Sequence, residues 1–318
     1  MRTRGVFAFR SALIPDKQRE RQERPAAWYG TQMASDPITT GSAIFGLITE
    51  DPIAALPVGS SLALQSLLFK PLTADITPPP SWTHFAGTLL KLGFKDAAEF
   101  RIIGSAVMVG PAVAVTAKHV IEPELAGLLA GQIAGYALAL TPNGLDIWQP
   151  HQVTMLDHAD LVVMTLRRAS ALPPDNTLRH VAISTHVPDA GAPVMIAGFR
   201  ADTPAFTLSP PKFSGEVRAA TGVVTAHYPN GRDQFMLPWP CIEVSANTAG
   251  GMSGGPAFDA EGRLIGVLSS GMTSTDGGGP SYVSLIHPAL DQQFQVPLLN
   301  KQTSLRDLAK QMGSILGV

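Results

Sequence analysis

From residue 82 onward, short apolar runs rich in valine and isoleucine recur between turn residues, and no other feature constrains the fold as strongly. The runs end in Gly, Pro, Asn or Asp, as β-strands joined by turns do; they read TLLKLGF, RIIGSAVMVG, VAVTAKHV, LVVMTL, APVMIAGF, GVVTAHY, CIEVS, RLIGVLSS and YVSLI. Glycine and proline, at 30 and 27 of 318 residues, also favour many short elements over long helices. No strand–helix alternation with a nucleotide-type glycine loop is present, which argues against a doubly wound sheet. We predict a mainly β protein, an antiparallel barrel or sandwich.

Two segments after the β-rich region have helical character, residues 287–294 and residues 304–316. In the second segment apolar residues recur at spacings of three and four, and Thr303 or Ser304 can cap the first turn; these apolar residues are Leu305, Leu308, Met312, Ile315 and Leu316. We therefore predict a C-terminal amphipathic helix within residues 297–318.

The first 81 residues differ in amino-acid composition from the rest of the chain. Residues 16–24 contain no apolar side chain, whereas residues 26–77 are apolar and interrupted by prolines. Exposed, the apolar part would be an aggregation hazard, so we expect it to pack on the main domain. Residues 78–80 are three prolines and predict a stiff connector. We assign residues 1–81 to an extension of unknown role, the candidate surface for a regulatory partner, and residues 82–296 to the main domain.

Charge and cysteine content narrow the partners and the compartment. The net charge of −2 gives no basic field, so nucleic acid is not an expected partner. Cys241 is the single cysteine, which excludes an internal disulfide and fits a reducing cytoplasm. The apolar run near the start is cut by Arg10 and no small-residue cleavage site follows, so no secretory signal is expected. The most lipid-like stretch, residues 125–140, is shorter than the ~20 apolar residues of a membrane span.

Three segments carry residue types suited to nucleophilic catalysis. His119 lies in TAKHV after a strand-like run, Asp160 opens the apolar run in ADLVVM, and Ser253 lies in the glycine-rich GMSGGP. Taken singly, each residue type at such a place is more often structural; taken in this order, the three indicate a catalytic set. A serine hydroxyl needs a base to accept its proton, which His119 can do, and Asp160 can fix the imidazole tautomer. The glycines let the N–H groups of Gly251 and Ser253 converge on a developing oxyanion.

These motifs resemble those of the trypsin-like serine peptidases. TAKHV is similar to the family's T-A-x-H-[CV], ADLVVM to its D-[IL]-A-[LV], and GMSGGP to its G-x-S-G-G-P; GVLSSG, residues 266–271, resembles the segment that pairs with the substrate backbone. The resemblance covers about residues 82–296 and is closer to disulfide-free bacterial members than to secreted animal ones. It implies two six-stranded antiparallel β-barrels with the triad at their junction, and a C-terminal helix for which residues 287–294 are the candidate. It also implies a serine endopeptidase acting on protein or peptide through an acyl-enzyme, with no metal and no organic cofactor.

The resemblance also assigns substrate contacts. Ser269 would support Asp160, and Ser270 and Gly271 would bind extended substrate. Asn247 and Thr248 would line the primary specificity pocket.

Two positions of the pocket and the loop depart from the family pattern. Trypsin-type relatives have an Asp where this chain has Asn247, so a preference for uncharged side chains of small or medium size is expected. If the Asp276 carboxylate pointed into the pocket, it could pair with a Lys or Arg side chain of the substrate, and specificity for these residues would be expected instead. Met252 is a second departure, because most secreted relatives have Asp there and many bacterial ones have Asn.

Two other functions are compatible with the same residues. Ser253 also satisfies G-x-S-x-G, the nucleophile elbow of α/β-hydrolase esterases, with Asp276 and His287 as nominal partners. That elbow must open a helix, whereas Pro256 and the following DAEG predict a turn and a hairpin. The second alternative is a catalytically inactive trypsin-fold scaffold or peptide-binding module.

Overall fold

The structure is a computed structural model that describes residues 42–46, 63–71, 82–97, 99–141, 144–170, 177–200, 205–208, 211–214, 216–271, 279–296 and 301–316. The polar segment 16–24 and the proline connector 78–80 lie outside these residues.

The described residues form 21 strands and four short helices. Strands β1 to β8 are Ser42–Gly46, Ala63–Leu67, Leu89–Lys95, Phe100–Gly110, Val113–Thr116, Ala134–Thr141, Gly144–Leu156 and Val162–Arg168. Strands β9 to β15 are Thr177–Val181, Ile183–Ser184, Pro193–Phe199, Ala205–Leu208, Pro211–Ser214, Val217–Tyr228 and Cys241–Val244. Strands β16 to β21 are Pro256–Phe258, Leu264–Gly271, Ser281–Leu285, Gln293–Val296, Lys301–Ser304 and Ile315–Leu316. Helices α1 to α4 are Lys118–Ile121, Leu125–Leu129, His287–Leu290 and Leu305–Gln311.

Six antiparallel strands form the first barrel. They follow the order β7-β6-β3-β4-β5-β8, and pairing of β7 with β8 closes the ring. All four residues of β5 and six of the seven in β3 are buried, because one face of each strand fills the barrel and the other is covered by neighbouring chain. Closure removes the exposed strand edges that an open sheet of such apolar strands would present.

Six further strands form the second barrel, in the order β16-β11-β14-β15-β18-β17, and pairing of β16 with β17 closes it. β10 and β21 extend this sheet, with Ile183 paired in parallel to both Leu264 and Ile315. The prediction of a mainly β chain with two six-stranded antiparallel barrels is confirmed.

Part of the N-terminal extension packs on the barrels, as expected from its apolar character. The Phe69 ring lies 5.2 Å from the Phe85 ring and 5.4 Å from the Phe258 ring, measured between centroids. The Phe69 N–H donates to the Gly262 carbonyl over 2.8 Å. β2 pairs in parallel with β9, and β1 pairs with β7.

Both predicted C-terminal helices are shorter than expected. α3 ends at Leu290, and Phe294 lies in β19, which pairs with β20 and buries Phe294 and Val296 on alternate positions. α4 ends at Gln311 because Gly313 adopts a φ of +63° and turns the chain into β21. Residues 297–318 therefore do not form one helix. Ile315 and Leu316, which fit a helical spacing, lie in β21.

The lipid-like stretch 125–140 forms α2 and most of β6. In the part of the chain that the structure describes, no helix is long and apolar enough to cross a membrane.

The packing of α4 gives a stability prediction. Leu308 is 1 % exposed, and a Cβ added at Gly110 of β4 would lie 2.7 Å from its Cδ2 atom. We expect Leu308→Ala to lower the free energy of unfolding in urea by about 2–5 kcal/mol, through lost burial and the cavity left behind. Exposed Lys310 on the same helix provides the control, and Lys310→Ala should change the free energy by less than about 0.5 kcal/mol. Equal stability of the two variants would show that α4 does not dock on the first barrel.

Candidate active site

His119 and Asp160 come from neighbouring strand ends of the first barrel. β5 ends at Thr116 and α1 begins at Lys118, while Asp160 lies two residues before β8. Because Thr116 pairs with Val162, the two segments meet at one edge of the barrel. His119 Nδ1 lies 2.8 Å from Asp160 Oδ2, and the His119 backbone N–H donates to Asp160 Oδ1 over 3.0 Å. These contacts hold the imidazole in one orientation, with Nε2 on the side away from the carboxylate.

Asp160 also accepts a hydrogen bond from the second barrel. Ser269 Oγ, in β17, donates to Asp160 Oδ2 over 2.5 Å. Only 1 % of Asp160 is exposed, so protein donors replace its water. The carboxylate therefore lies at the junction of the two barrels, and the contact that the resemblance implied for Ser269 is present. Its part in catalysis stays a prediction.

Burial and hydrogen bonding act in opposite directions on the pKa values of this pair. Burial lowers the pKa of His119, but the hydrogen bond and charge of Asp160, with the charge of Glu122, outweigh burial and raise this pKa above 6.5. Burial raises the pKa of Asp160, but the hydrogen bonds from His119 and Ser269 and the charge of His119 outweigh it and hold this pKa below 3.8. The carboxylate is therefore ionised at neutral pH, and its negative charge favours the imidazolium form of His119, as a partner of a general base should.

Ser253 lies in the loop 249–255, between β15 and β16. Gly254 approaches the first barrel so closely that a Cβ there would lie 2.1 Å from Thr116 Oγ1. Thr116 is three residues before His119, so the loop places Ser253 beside the start of α1. No described residue is hydrogen-bonded to the Ser253 hydroxyl, and hydrogen bonds of this kind often tighten only when substrate is bound.

The backbone of the loop 249–255 carries two N–H donors, those of Gly251 and Ser253, that could bind an oxyanion. The N–H groups of Gly251 and Ser253 donate to no residue within the described ranges, and neither does that of exposed Gly250. The other backbone donors of the loop are occupied, those of Ala249, Met252, Gly254 and Gly255. Gly251 has a φ of +88°, a conformation that favours glycine. The arrangement leaves donors for an oxyanion at Gly251 and Ser253, whose role stays a prediction.

Met252 anchors the same loop in the core of the second barrel. Its side chain is fully buried in the core of the second barrel, and its Sδ accepts the Ala249 N–H over 3.2 Å. A Cβ added at Gly198 would lie 2.7 Å from Met252 Cα. Packing into the second barrel, and not a buried charge beside the nucleophile position, therefore holds this part of the loop.

Thr248 packs directly against Gly271 and is hydrogen-bonded to Ser281, a residue that the sequence analysis did not single out. Thr248 Oγ1 lies 2.7 Å from Ser281 Oγ, and Ser281 Oγ donates to the Ala246 carbonyl over 2.7 Å. A Cβ added at Gly271 would lie 2.5 Å from Thr248 Oγ1. The structure thus places Ser281 beside Thr248, whose part in the specificity pocket stays a prediction. The one signal in the sequence was its place directly before YVSLI, at the start of β18, where it pairs with Gly271 of β17.

The remaining predicted residues are placed as follows. Asn247 and Ser270 are half-buried, and Ser270 pairs with Tyr282 along β17 and β18. Asp276 lies outside the described residues. Across the described ranges, no group of three or more His, Cys, Asp or Glu side chains is arranged to hold a metal ion.

The family model for the trypsin-like peptidase domain matches residues 104–267, just over half of the chain. This chain belongs to the trypsin-like peptidase family. The match runs from within β4 to the middle of β17 and so contains His119, Asp160 and Ser253. None of the curated protein sequences compared with this chain matches it.

Solved structures of similar fold include proteases, each at low identity. The active form of the Rv3671c protease from M. tuberculosis is 14 % identical, with 73 % of this chain and 89 % of that chain covered and a TM-score of 0.45. The HtrA-type protease AlgW with decapeptide is 20 % identical, with 67 % and 66 % covered and a TM-score of 0.44. The MamO protease domain from Magnetospirillum magneticum is 15 % identical, with 64 % and 94 % covered and a TM-score of 0.42.

The trypsin-like fold excludes the esterase alternative. The loop that carries Ser253 leads into β16, which pairs antiparallel with β11 and β17, and not into a helix. His287 Nε2 lies 2.6 Å from the Thr185 carbonyl. The nucleophile elbow of an α/β-hydrolase is therefore absent at Ser253.

The His119–Asp160 pair predicts a titration that nuclear magnetic resonance can follow. The His119 ring should titrate with a midpoint above 6.5 in the wild type, because Asp160 stabilises the imidazolium. In Asp160→Asn the charge is lost and burial remains, so the midpoint should fall below 6.5. A His119→Gln spectrum identifies the resonance among the eight histidines. An unchanged midpoint in Asp160→Asn would mean that the two side chains are not coupled.

Proposed function

We propose that this trypsin-like family member is a serine endopeptidase that cleaves peptide bonds through an acyl-enzyme. The observation that carries the proposal is the buried Asp160 carboxylate at the barrel junction, which orients His119 at the edge where the Ser253 loop meets the first barrel. The unoccupied N–H groups of Gly251 and Ser253 support the same conclusion.

In the proposed reaction His119 acts first as a base and then as an acid. Ser253 Oγ attacks the scissile carbonyl carbon while His119 Nε2 takes the hydroxyl proton. Asp160 keeps the Nδ1 proton in place and stabilises the imidazolium. The carbonyl oxygen becomes an oxyanion and accepts hydrogen bonds from the N–H groups of Gly251 and Ser253.

The second half of the reaction releases both products. The imidazolium gives its proton to the leaving amine as the peptide C–N bond breaks, which leaves the acyl group on Ser253. Water then attacks the ester while His119 again accepts the proton, and Ser253 regains its hydrogen. Ser270 and Gly271, at the end of β17, are proposed to bind the extended substrate backbone.

Loss of either proton-transfer partner tests this mechanism. Ser253→Ala and His119→Ala should each reduce kcat on an internally quenched peptide to nearly the same residual rate. The double variant should be little slower than either, because the groups act as a unit. His158→Ala changes an exposed histidine close to Asp160 in sequence and should retain full activity. Substantial turnover by Ser253→Ala would show that another group is the nucleophile.

The acid of the triad has its own test. Asp160→Asn should keep the fold but lose about 10⁴ in kcat, because the amide favours the wrong imidazole tautomer. Exposed Asp157 offers the matched control, and Asp157→Asn should be as active as the wild type. If Asp157→Asn lost activity and Asp160→Asn did not, the acid would be wrongly assigned.

The close approach of Thr248 to Gly271 supports a preference for uncharged side chains of small or medium size before the scissile bond. The Thr248 and Ser281 hydroxyls provide hydrogen-bonding groups without charge. In a positional-scanning peptide library, Thr248→Ala should extend cleavage to larger apolar residues, whereas Thr248→Ser, which keeps the hydroxyl, should change the profile less. Strong cleavage after Arg that disappears in Asp276→Ala would contradict the neutral pocket.

The compartment and regulation are part of the same proposal. Cys241 is buried, and burial raises the pKa of its thiol to about 11, so this lone cysteine is chemically quiet. A chain without an internal disulfide is suited to the cytoplasm, which we propose as its location. We further propose the extension 1–81 as the place where a regulatory partner acts.

A further inference from the structure

Ser105, on β4 of the first barrel, is fully buried and joins three parts of the molecule by hydrogen bonds. Its hydroxyl donates to the Gly251 carbonyl over 3.1 Å and accepts the Phe199 N–H over 2.9 Å. Its backbone N–H donates to the Ser253 carbonyl over 2.8 Å, and its carbonyl accepts the Thr116 hydroxyl over 2.7 Å. One residue thus contacts the nucleophile loop, the end of β11 in the second barrel and the end of β5 before His119.

The direction of the Ser105 hydroxyl proton follows from these contacts. The Phe199 N–H occupies a lone pair of Oγ, and the Gly251 carbonyl can only accept, so the hydroxyl proton must point at Gly251. A serine hydroxyl has a single proton to donate, and here that proton is committed to the loop. Neither contact depends on a tautomer or on a charged group.

Ser105 holds the loop on both sides of the Ser253 N–H, one of the two predicted oxyanion donors, and at the peptide that follows Gly251, whose N–H is the other donor. It fixes the Gly251–Met252 peptide through the Gly251 carbonyl and the Ser253–Gly254 peptide through the Ser253 carbonyl. The Met252–Ser253 peptide, which bears the Ser253 N–H, lies between them. Gly251 has a φ of +88° and no side chain, and the Ser105 hydroxyl anchors its carbonyl on the side of the first barrel, while the Met252 N–H of the same peptide donates to Ala249.

We propose that Ser105 is a positioning residue for the oxyanion-binding N–H groups of Gly251 and Ser253, and that its hydroxyl is the group responsible. The inference rests on the proposed peptidase function, since it assigns a role within that reaction. Ser105 touches neither substrate nor reacting atoms. It acts by fixing peptide planes of the loop from the barrel that also carries His119.

A positioning role predicts a specific kinetic signature. Hydrogen bonds to an oxyanion form fully only in the transition state, so their misalignment lowers kcat and leaves KM nearly unchanged. Removing a whole oxyanion donor costs about 10²–10³ in kcat, and a loosened loop should lose part of that. We expect Ser105→Ala to lower kcat about 10- to 100-fold, with KM changed less than about threefold.

The experiment compares three variants with the wild type by two readouts. The variants are Ser105→Ala, Ser105→Cys and Ser314→Ala, the last being a control in which another buried hydroxyl that donates to a backbone carbonyl is removed. The first readout is kcat and KM on the best peptide from an internally quenched library. The second is hydrogen–deuterium exchange of the peptide fragments covering residues 249–255. Cysteine is close to serine in size but a weak donor, so Ser105→Cys tests the hydroxyl if Ser105→Ala does not fold.

The expected result is a lower kcat and faster exchange in residues 249–255 for both Ser105 variants, with neither change in Ser314→Ala. Wild-type kcat and exchange in a folded Ser105→Cys or Ser105→Ala would overturn the inference. A KM effect alone would overturn it as well, because it would place Ser105 in ground-state binding. A wild-type protein that cleaves no peptide of the library would instead refute the proposed function, while the exchange data would still show whether Ser105 anchors the loop.

Discussion

The buried carboxylate of Asp160 is the contact on which the candidate site depends. It accepts hydrogen bonds from His119 in the first barrel and from Ser269 in the second, so the position of one side chain couples both barrels. A carboxylate that is 1 % exposed would be costly without such donors, and removing one of them leaves a poorly compensated charge in the interior. The need to stabilise the buried Asp160 charge therefore links the geometry of the His119–Asp160 pair to the docking of the two barrels.

The seam between the barrels is built from polar contacts set among small residues. Gly254 and Gly255 allow the loop 249–255 to approach within contact distance of backbone in both barrels; a Cβ at Gly255 would lie 2.1 Å from the Ala197 carbonyl oxygen. Ser105 uses that close approach to bond the loop from the opposite side. Because interiors are packed at near-crystal density, such contacts transmit small displacements to the site. Within the second barrel Thr248 packs equally closely on Gly271, where a Cβ would lie 2.5 Å from Thr248 Oγ1.

The sequence was sufficient to predict a mainly β chain from its short Val- and Ile-rich runs, and two six-stranded barrels from the family resemblance. It also placed His119, Asp160 and Ser253 next to strand ends through their motifs, and the catalytic roles of these three residues stay predictions. It was insufficient for Ser281 and Ser105, whose partners lie 33 and 146 positions away and which carry no motif of their own. The C-terminal helix was predicted too long because Ile315 fits a helical spacing as well as a strand. The pairing of Ile315 with Ile183, a long-range contact, decided between the two.

The most direct test of the central claim is the site of covalent labelling by a fluorophosphonate, read by intact mass and peptide mapping. A serine peptidase of this geometry should take up one phosphonyl group on Ser253, with no labelling in Ser253→Ala or His119→Ala. Labelling should persist in His158→Ala, whose exposed imidazole takes no part in the site. A folded wild-type protein that stays unlabelled would identify the chain as an inactive trypsin-fold scaffold, and a label on another serine would contradict the assignment of the nucleophile.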